Sequence, residues 1–219
     1  DNLWLNVNLS TQTEMGNITQ AAIASKEGKI AWLGKINTLP DMPKKLAKNV
    51  VKMNGEWVTP GLIDCHTHLI FAGQRADEFA SRLEGESYES ILASGGGILS
   101  TVRATRNASY EDLLSLALKR ATWMMSQGVT TLEIKSGYGL DLASELKILR
   151  VAKALQTRLP ITIKATCLAA HVVPPEYRHQ REAYLAWIIE ELLPLVKKEN
   201  LVDAVDVFCE KIAFSLEET

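Results

Sequence analysis

Cysteine is scarce in this sequence: the 219 residues contain Cys65, Cys167 and Cys209, an odd number without CxxC spacing. The odd number argues against a disulfide framework, and the absence of CxxC spacing argues against a cysteine-based zinc site. We therefore expect small, buried, reduced thiols, which are typical of the cytoplasm.

Long apolar runs and clusters of one charge are also missing. No stretch approaches the roughly 18 apolar residues of a membrane-spanning helix, and no signal-peptide pattern opens the sequence. The formal net charge is −2, and the basic pairs Lys44-Lys45 and Lys197-Lys198 are too short for a nucleic-acid patch. We expect neither a membrane nor a nucleic acid as partner.

The sequence does contain enough apolar residues, 47%, to bury a sizeable core. Residues 1–55 have the pattern of short strands with turns, including a hairpin around Lys26-Glu27-Gly28 and a strand over 49–53. This predicts a small β-rich, sandwich-like domain over 1–55. Its apolar surface is small for an independent domain.

From residue 56 the pattern changes to strands that alternate with helices. Strands are predicted to begin near residues 60, 130, 162 and 204, and helices to cover 110–127, 141–157 and 179–199. The last helix is expected to kink or restart at Pro194. Such alternation predicts a parallel sheet. A (β/α)8 barrel needs eight strands and about 250 residues. Residues 56–219 therefore predict an α/β fold, the first half of such a barrel.

His66-Thr67-His68 is the most informative motif. It follows residues 57–65, which have the pattern of one short buried strand. Because side chains at i and i+2 of a strand share a face, both imidazoles are expected to point the same way. Neutral imidazole is a common metal ligand, so the pair predicts half of a divalent site.

The residues around this pair resemble the first barrel strand of the amidohydrolase superfamily. Within that superfamily, the sequence is similar to the imidazolonepropionase family of histidine degradation, and the resemblance covers essentially the whole chain. The stretches that carry it are residues 58–68, 68–75, 95–98, 133–140 and 170–177.

This resemblance implies a metal-dependent hydrolase that opens the ring of 4-imidazolone-5-propanoate, with one zinc or iron ion on His66 and His68. It implies that Arg75 and Tyr138 bind the anionic substrate and that His171 both binds it and takes part in catalysis. The remaining ligands and the water-activating residue would lie beyond residue 219. We therefore expect the chain to be the N-terminal part of a longer enzyme and to be inactive by itself. A homodimer is a further expectation for that enzyme.

Each of these residues also has a purely structural interpretation. Arg75 could pair with the nearby Asp77 or Glu78 instead of a substrate carboxylate. Tyr138, between two glycines, could pack its ring over the strand ends, and His171 could be structural. His179 lacks any such context and is predicted to lie on the surface.

Four further features are weaker candidates. Glu133 and Lys135 point together along a strand and predict a structural ion pair that fixes the loop bearing Tyr138. The glycines 95–97 do not fit a phosphate-binding loop and favour a flexible lid. Tyr88 is a further residue for touching an anionic substrate, and Glu210 is a strand-end carboxylate without a clear role.

Two other functions stay open. One is a different cyclic-amide hydrolase or a deaminase of the same superfamily, whose neutral substrate would not need the cationic Arg75. The other is a binding or scaffold module without chemistry.

Overall fold

The computed structural model describes residues 1–87, 90 and 96–219, and it divides into two compact units, Asp1–Gly61 and Leu62–Thr219. Tyr88 and Gly95 lie outside the described residues. The predicted domain bounds, 1–55 and 56–219, stay a prediction. Each unit is described by itself.

The first unit is built on one sheet of five strands. Strand β1 lies between antiparallel β2 and parallel β4, β3 pairs with β2, and β5 pairs with the distal end of β1. The strands are β1 Asn2–Ser10, β2 Asn17–Lys26, β3 Lys29–Lys35, β4 Asn49–Lys52 and β5 Trp57–Val58. A short helix α1, Pro43–Leu46, precedes β4. The sandwich-like arrangement stays a prediction.

The hairpin between β2 and β3 follows from its turn residues. Glu27 and Gly28 both have positive φ, 52° and 75°. Two successive positive φ values give the turn whose twist matches that of the flanking strands. The predicted hairpin around Lys26-Glu27-Gly28 is therefore confirmed.

The core of the first unit is small and split by a bulge. Asn6 has φ 57°, and the pairing register with β2 shifts between Leu5 and Val7. The bulge interrupts the two-residue alternation, so Leu5 and Val7 pack in different apolar clusters, with Ala22 and Ala21 respectively.

The prediction of one buried strand over 57–65 is wrong. The extended segment is interrupted at Pro60-Gly61. Trp57–Val58 belongs to the first sheet, and Leu62–Thr67 is the first strand of the second sheet. Proline has no N–H for a strand ladder, which gives the break a physical reason. The second strand is also largely exposed rather than buried.

The second unit contains a curled sheet of four parallel strands in the order β6-β7-β8-β9. These strands are β6 Leu62–Thr67, β7 Val129–Lys135, β8 Thr162–Ala170 and β9 Ala204–Val207. Their starts agree with the predicted positions, and the mixed α/β class with a parallel half-barrel sheet is confirmed. A complete barrel stays a prediction.

Helices connect these strands, and their ends follow from capping residues. Ser109 and Asp141 accept hydrogen bonds from the N–H groups of Asp112 and Ser144, which begins helices α4 and α5. The helices are α2 Ala76–Leu83, α3 Ile98–Asn107, α4 Tyr110–Ser126, α5 Leu142–Arg158, α6 Arg181–Trp187 and α7 Leu193–Lys198. At Pro194 the helix restarts, one of the two predicted outcomes: a π-helical segment, Ile188–Leu192, precedes α7, which has Pro194 in its first turn.

The core of the second unit lies around the inner strands. Strands β7 and β8 pack with α4 and α5 into one cluster, while β8 also packs with α5, α6 and α7 in another. Strand β8 is buried over its last six residues, whereas β6 has no buried residue. All three cysteines are free, but only Cys167 is buried, so the prediction of buried thiols is wrong for Cys65 and Cys209.

Candidate functional site

The carboxyl ends of β6, β7 and β8 bring three predicted site residues together. The ring centroid of His68 lies 4.7 Å from that of Tyr138 and 4.6 Å from that of His171. The ring centroids of Tyr138 and His171 are 5.6 Å apart, and those of His66 and His68 are 5.7 Å apart. In a barrel of parallel strands, the functional groups lie at the carboxyl ends of the strands and in the loops that follow them, which are neighbours in space.

His68 is a neutral imidazole with an unsatisfied ring nitrogen. Its Nδ1 is buried and, within the part of the chain that the structure describes, has no hydrogen-bond partner. Burial, and then the charges of His171 and His66, lower the pKa of His68 to about 3. A neutral ring with an orphaned nitrogen fits a metal ligand, because the metal competes with no proton there.

His66 ends up more exposed than His68. Over residues 1–87, 90 and 96–219, no group of three or more His, Cys, Asp or Glu side chains could hold a metal. The two histidines could supply two donors, which is half of what a tetrahedral metal site needs.

His171 is oriented by one hydrogen bond and one stacking contact. Its Nδ1 lies 3.1 Å from the carbonyl oxygen of Gly137. Since a carbonyl only accepts, Nδ1 carries the hydrogen, and a neutral ring leaves Nε2 as an acceptor. Burial lowers the pKa of His171, and the ring stacks on His68 with an interplanar angle of 9°.

Tyr138 stands on a tight loop, residues 136–140, that only glycine permits at two points. Gly137 has φ 103°, and a Cβ there would lie 2.5 Å from the carbonyl oxygen of Leu168. A Cβ on Gly139 would lie 2.5 Å from the backbone nitrogen of Glu145. The loop thus packs directly on its neighbours, and Tyr138 is held partly buried.

Two charged residues that the sequence did not identify hold this loop. The fully buried Glu145 accepts hydrogen bonds from the N–H groups of Gly137, Gly139 and Leu140. Arg106 donates from Nε to the carbonyl oxygen of Gly139 at 2.6 Å. The only signal for Glu145 in the sequence is its place in the first turn of a helix directly after the glycine loop.

Arg75 is paired with a carboxylate of its own chain. Its Nε donates to Oε2 of Glu78 at 2.7 Å, one of the two structural pairings left open by the sequence. Burial raises the pKa of Tyr138, and the positive charge of Arg75 opposes part of this shift. Arg75 and Tyr138 also line one cavity of about 500 Å3, together with Phe71 and Arg120.

Arg120, which the sequence also missed, fixes the chain after β6. Its Nη1 donates to the carbonyl oxygens of Leu69 and Phe71 at 2.9 and 2.7 Å. The guanidinium also lies 3.6 Å from the centre of the Phe71 ring. A cation on α4 therefore shapes the segment between the His66-Thr67-His68 motif and Arg75.

The ion pair predicted for Glu133 and Lys135 is present and extends to a third strand. Lys135 Nζ lies 2.6 Å from Glu133 Oε1 and 2.9 Å from Asp206 Oδ2. The hydroxyl of Thr166 also donates to Glu133 Oε1 at 2.6 Å. The network therefore connects β7, β8 and β9.

Within the described residues, the remaining candidates have no hydrogen bond or ring contact with His68, Tyr138 or His171. His179 is exposed, as predicted, and Glu210 is exposed as well. Gly97 has φ 71° and donates its N–H to Glu78, the partner of Arg75. The flexible lid stays a prediction, since part of it falls outside the described residues.

No helix in the described ranges is long and apolar enough to cross a membrane.

The sequence matches curated proteins named imidazolonepropionase. It is 54% identical over 223 residues to that of Colwellia psychrerythraea, which covers 99% of this chain and 53% of the relative. It is 52% identical over 224 residues to that of Shewanella halifaxensis, covering 100% of this chain and 55% of the relative. The chain thus spans about half the length of these relatives. No family model matches.

Solved structures of similar fold are hydrolases and deaminases. A triazine hydrolase variant aligns with 99% of this chain and 48% of its own at a TM-score of 0.64 and 14% identity. The 5-methylcytosine deaminase from Klebsiella pneumoniae aligns with 94% of this chain and 51% of its own at a TM-score of 0.57 and 16% identity. At such identity the likeness concerns the fold alone.

Proposed function

Since this chain belongs to the imidazolonepropionase family and matches the N-terminal part of longer relatives, we propose that it forms part of a ring-opening hydrolase. The substrate is 4-imidazolone-5-propanoate and the product N-formimino-L-glutamate. Water supplies the hydroxyl that ends up on the acyl carbon, the ring C–N bond breaks, and the nitrogen takes up a proton. The single observation that supports this most is the close cluster of His68, Tyr138 and His171 at neighbouring strand ends.

The proposal assigns His66 and His68 to one divalent ion, zinc or iron. Such an ion, when bound, polarises a carbonyl and lowers the pKa of a coordinated water. The neutral state of His68 and its unpartnered buried nitrogen support this assignment. Two donors do not complete a site, so further ligands must come from outside the described residues.

The other assignments follow from the chemistry of each side chain. Arg75 binds the propanoate carboxylate, for which its planar guanidinium is suited, and exchanges part of its contact with Glu78 when the substrate enters. Tyr138 contacts the ring from across the shared cavity. His171 presents Nε2 as an acceptor and holds or moves a proton at the reacting end, because Gly137 fixes the hydrogen on Nδ1.

Because Arg75 is already paired, one other function remains a candidate. A neutral cyclic amide or amidine would leave the Arg75–Glu78 pair undisturbed, as another hydrolase or deaminase of this superfamily would require. We further propose a cytoplasmic location and a homodimer.

One experiment separates the two functions. The full-length protein is assayed on imidazolonepropanoate and on an analogue without the carboxylate, each with and without Arg75→Met. We expect the variant to lose about 2–5 kcal/mol of transition-state binding on the charged substrate and little on the analogue. Equal losses on both compounds would assign Arg75 to structure and favour a neutral substrate.

A further inference from the structure

We propose that Glu145 is a positioning residue whose buried carboxylate holds residues 136–140 in the conformation that presents Tyr138 to the candidate site. The inference rests on the proposed function through the role of Tyr138. It adds a residue that touches neither the metal nor the substrate and acts through the loop.

The hydrogen bonds of Glu145 surround Tyr138 on both sides. Oε1 accepts from the N–H groups of Gly139 at 2.8 Å and Leu140 at 2.9 Å. Gly137 N–H lies 3.1 Å from Oε1 and 3.2 Å from Oε2. The residues directly before and after Tyr138 are therefore fixed by one carboxylate, which leaves the tyrosine backbone little freedom.

Helix capping does not explain Glu145. Asp141 already caps helix α5 by accepting a hydrogen bond from Ser144 N–H at 2.8 Å. Glu145 lies one turn further on and directs its side chain back to the loop instead of to the N–H groups of its own helix. The glutamate is therefore committed to the loop and not to the start of the helix.

The burial of this carboxylate shows how strongly the loop is specified. Glu145 is fully buried, and none of the ion pairs recorded for the described residues includes it. Burial raises the pKa of Glu145, while the hydroxyl of Ser136 and the three backbone donors act in the opposite direction. The acceptor oxygen, rather than a salt bridge, is what holds the loop.

The same contact extends to His171. Gly137 donates its N–H to Glu145 and accepts the Nδ1 hydrogen of His171 on its carbonyl oxygen at 3.1 Å. Gly137 has φ 103°, a backbone conformation that is strained for any residue with a Cβ. Any shift of the loop away from Glu145 therefore also moves the acceptor that orients His171.

The test compares substitutions of Glu145 in the full-length protein. Glu145→Leu keeps the volume but removes the acceptor, and we expect KM for imidazolonepropanoate to rise at least about 10-fold, as for the loss of one buried hydrogen-bonded contact. Glu145→Gln keeps an acceptor oxygen, and its KM should stay within about 3-fold of the native value. Glu111→Leu is the control, because Glu111 is an exposed glutamate in the first turn of α4.

Two measurements separate positioning from general stabilisation. In a Tyr138→Phe background, Glu145→Leu should raise KM by a clearly smaller factor than in the native background. Amide hydrogen exchange at Gly139 and Leu140 should accelerate in Glu145→Leu, while amides of β8 stay protected. A lowered melting temperature with unchanged KM, or an equal KM increase in both backgrounds, would overturn the proposal.

Two further outcomes are also decisive. If Glu145→Leu does not fold, Glu145→Asp replaces it, since a side chain shorter by one methylene reaches fewer of the three donors. Native KM and native exchange in that variant would overturn the proposal. If the unsubstituted enzyme does not turn over imidazolonepropanoate, the proposed function fails, whereas the exchange data still decide whether Glu145 holds the loop.

Discussion

The outer strand β6 and the inner strands β7 and β8 contribute to the same candidate site in different ways. Leu62 and Ile63 on β6 are 56% and 68% exposed, whereas β8 is buried over its last six residues. The side chains at the end of β6 are those proposed to bind metal. Those after β7 and β8 are already oriented by their own chain.

The difference lies in the site side chains themselves: Arg120 also fixes the chain after β6, but within the described residues the Nδ1 of His68 has no hydrogen-bond partner. After β7, the loop of Tyr138 is held by Glu145 and Arg106, and after β8 His171 is held by Gly137. The end of β6 is tied to β7 through Thr67, whose hydroxyl donates to the carbonyl oxygen of Glu133. The part of the site proposed to face the substrate is therefore preorganised, while the proposed metal-binding part needs further ligands.

The largest effect is expected at the end of β6. In the full-length protein, His68→Ala and His66→Ala should each strip the metal and lower kcat/KM by at least about 100-fold, because each removes a ligand. Metal content by plasma mass spectrometry, measured alongside activity, tests this. A His66→Ala protein with a full metal equivalent would show that exposed His66 is no ligand.

The next effect concerns the inner strands. Lys135→Met should lower the free energy of unfolding by about 3 kcal/mol, because it leaves Glu133 and Asp206 without the cation that joins β7 to β9. Lys164→Met is the matched control, since the Lys164–Asp203 pair is 58% and 44% exposed and should contribute less than about 1 kcal/mol. Denaturant unfolding measures both. Equal losses would mean that the network around buried Lys135 is no stronger than a surface pair.

A third effect is the pH dependence that buried His68 gives the metal-free protein. Its pKa is lowered to about 3 in the fold, against about 6.5 when unfolded, so only the unfolded chain takes up this proton below pH 6.5. The stabilisation present above pH 6.5 is lost as the pH falls towards 3, by about 2 kcal/mol at pH 5. His68→Gln should flatten the curve of unfolding free energy between pH 7 and 5. An unchanged curve would contradict the burial of His68.

The smallest effect tests the contact between the two kinds of strand. Thr67→Val removes the 2.6 Å hydrogen bond to Glu133 and should lower the free energy of unfolding by about 1 kcal/mol. Thr130→Val removes a longer contact, 3.4 Å to the carbonyl oxygen of Leu62, and should change it less. Thermal unfolding of both variants decides the order, and a larger loss for Thr130→Val would reverse this account of how β6 is fixed.

Much of the fold could be predicted because its signals are local. The hairpin at Lys26-Glu27-Gly28 and the alternation of strands and helices from residue 110 onward are encoded within a few residues. The break at Pro60-Gly61 was missed because the apolar pattern continues across it, while the two halves pair with different sheets.

Residues of the candidate site could be predicted only where they lie in a sequence motif. His66, His68, Tyr138 and His171 lie in recognisable motifs. Glu145, Arg106 and Arg120 lie outside those motifs and contact backbone groups within them. Their roles depend on which carbonyl or N–H group the fold brings within reach. Residue identity alone does not specify that.

The sequence by itself determined the four parallel strands with the helices from residue 110 onward, the pair of histidines at the end of β6 and the resemblance to the family, because periodicity and motifs are properties of the chain. Only the tertiary structure decided that Tyr138 and His171 lie against His68, and that Arg75 is paired with Glu78. It also decided that a buried carboxylate holds the loop of Tyr138. The physical reason is that hydrogen bonding and burial depend on distances between residues that are separate in the sequence.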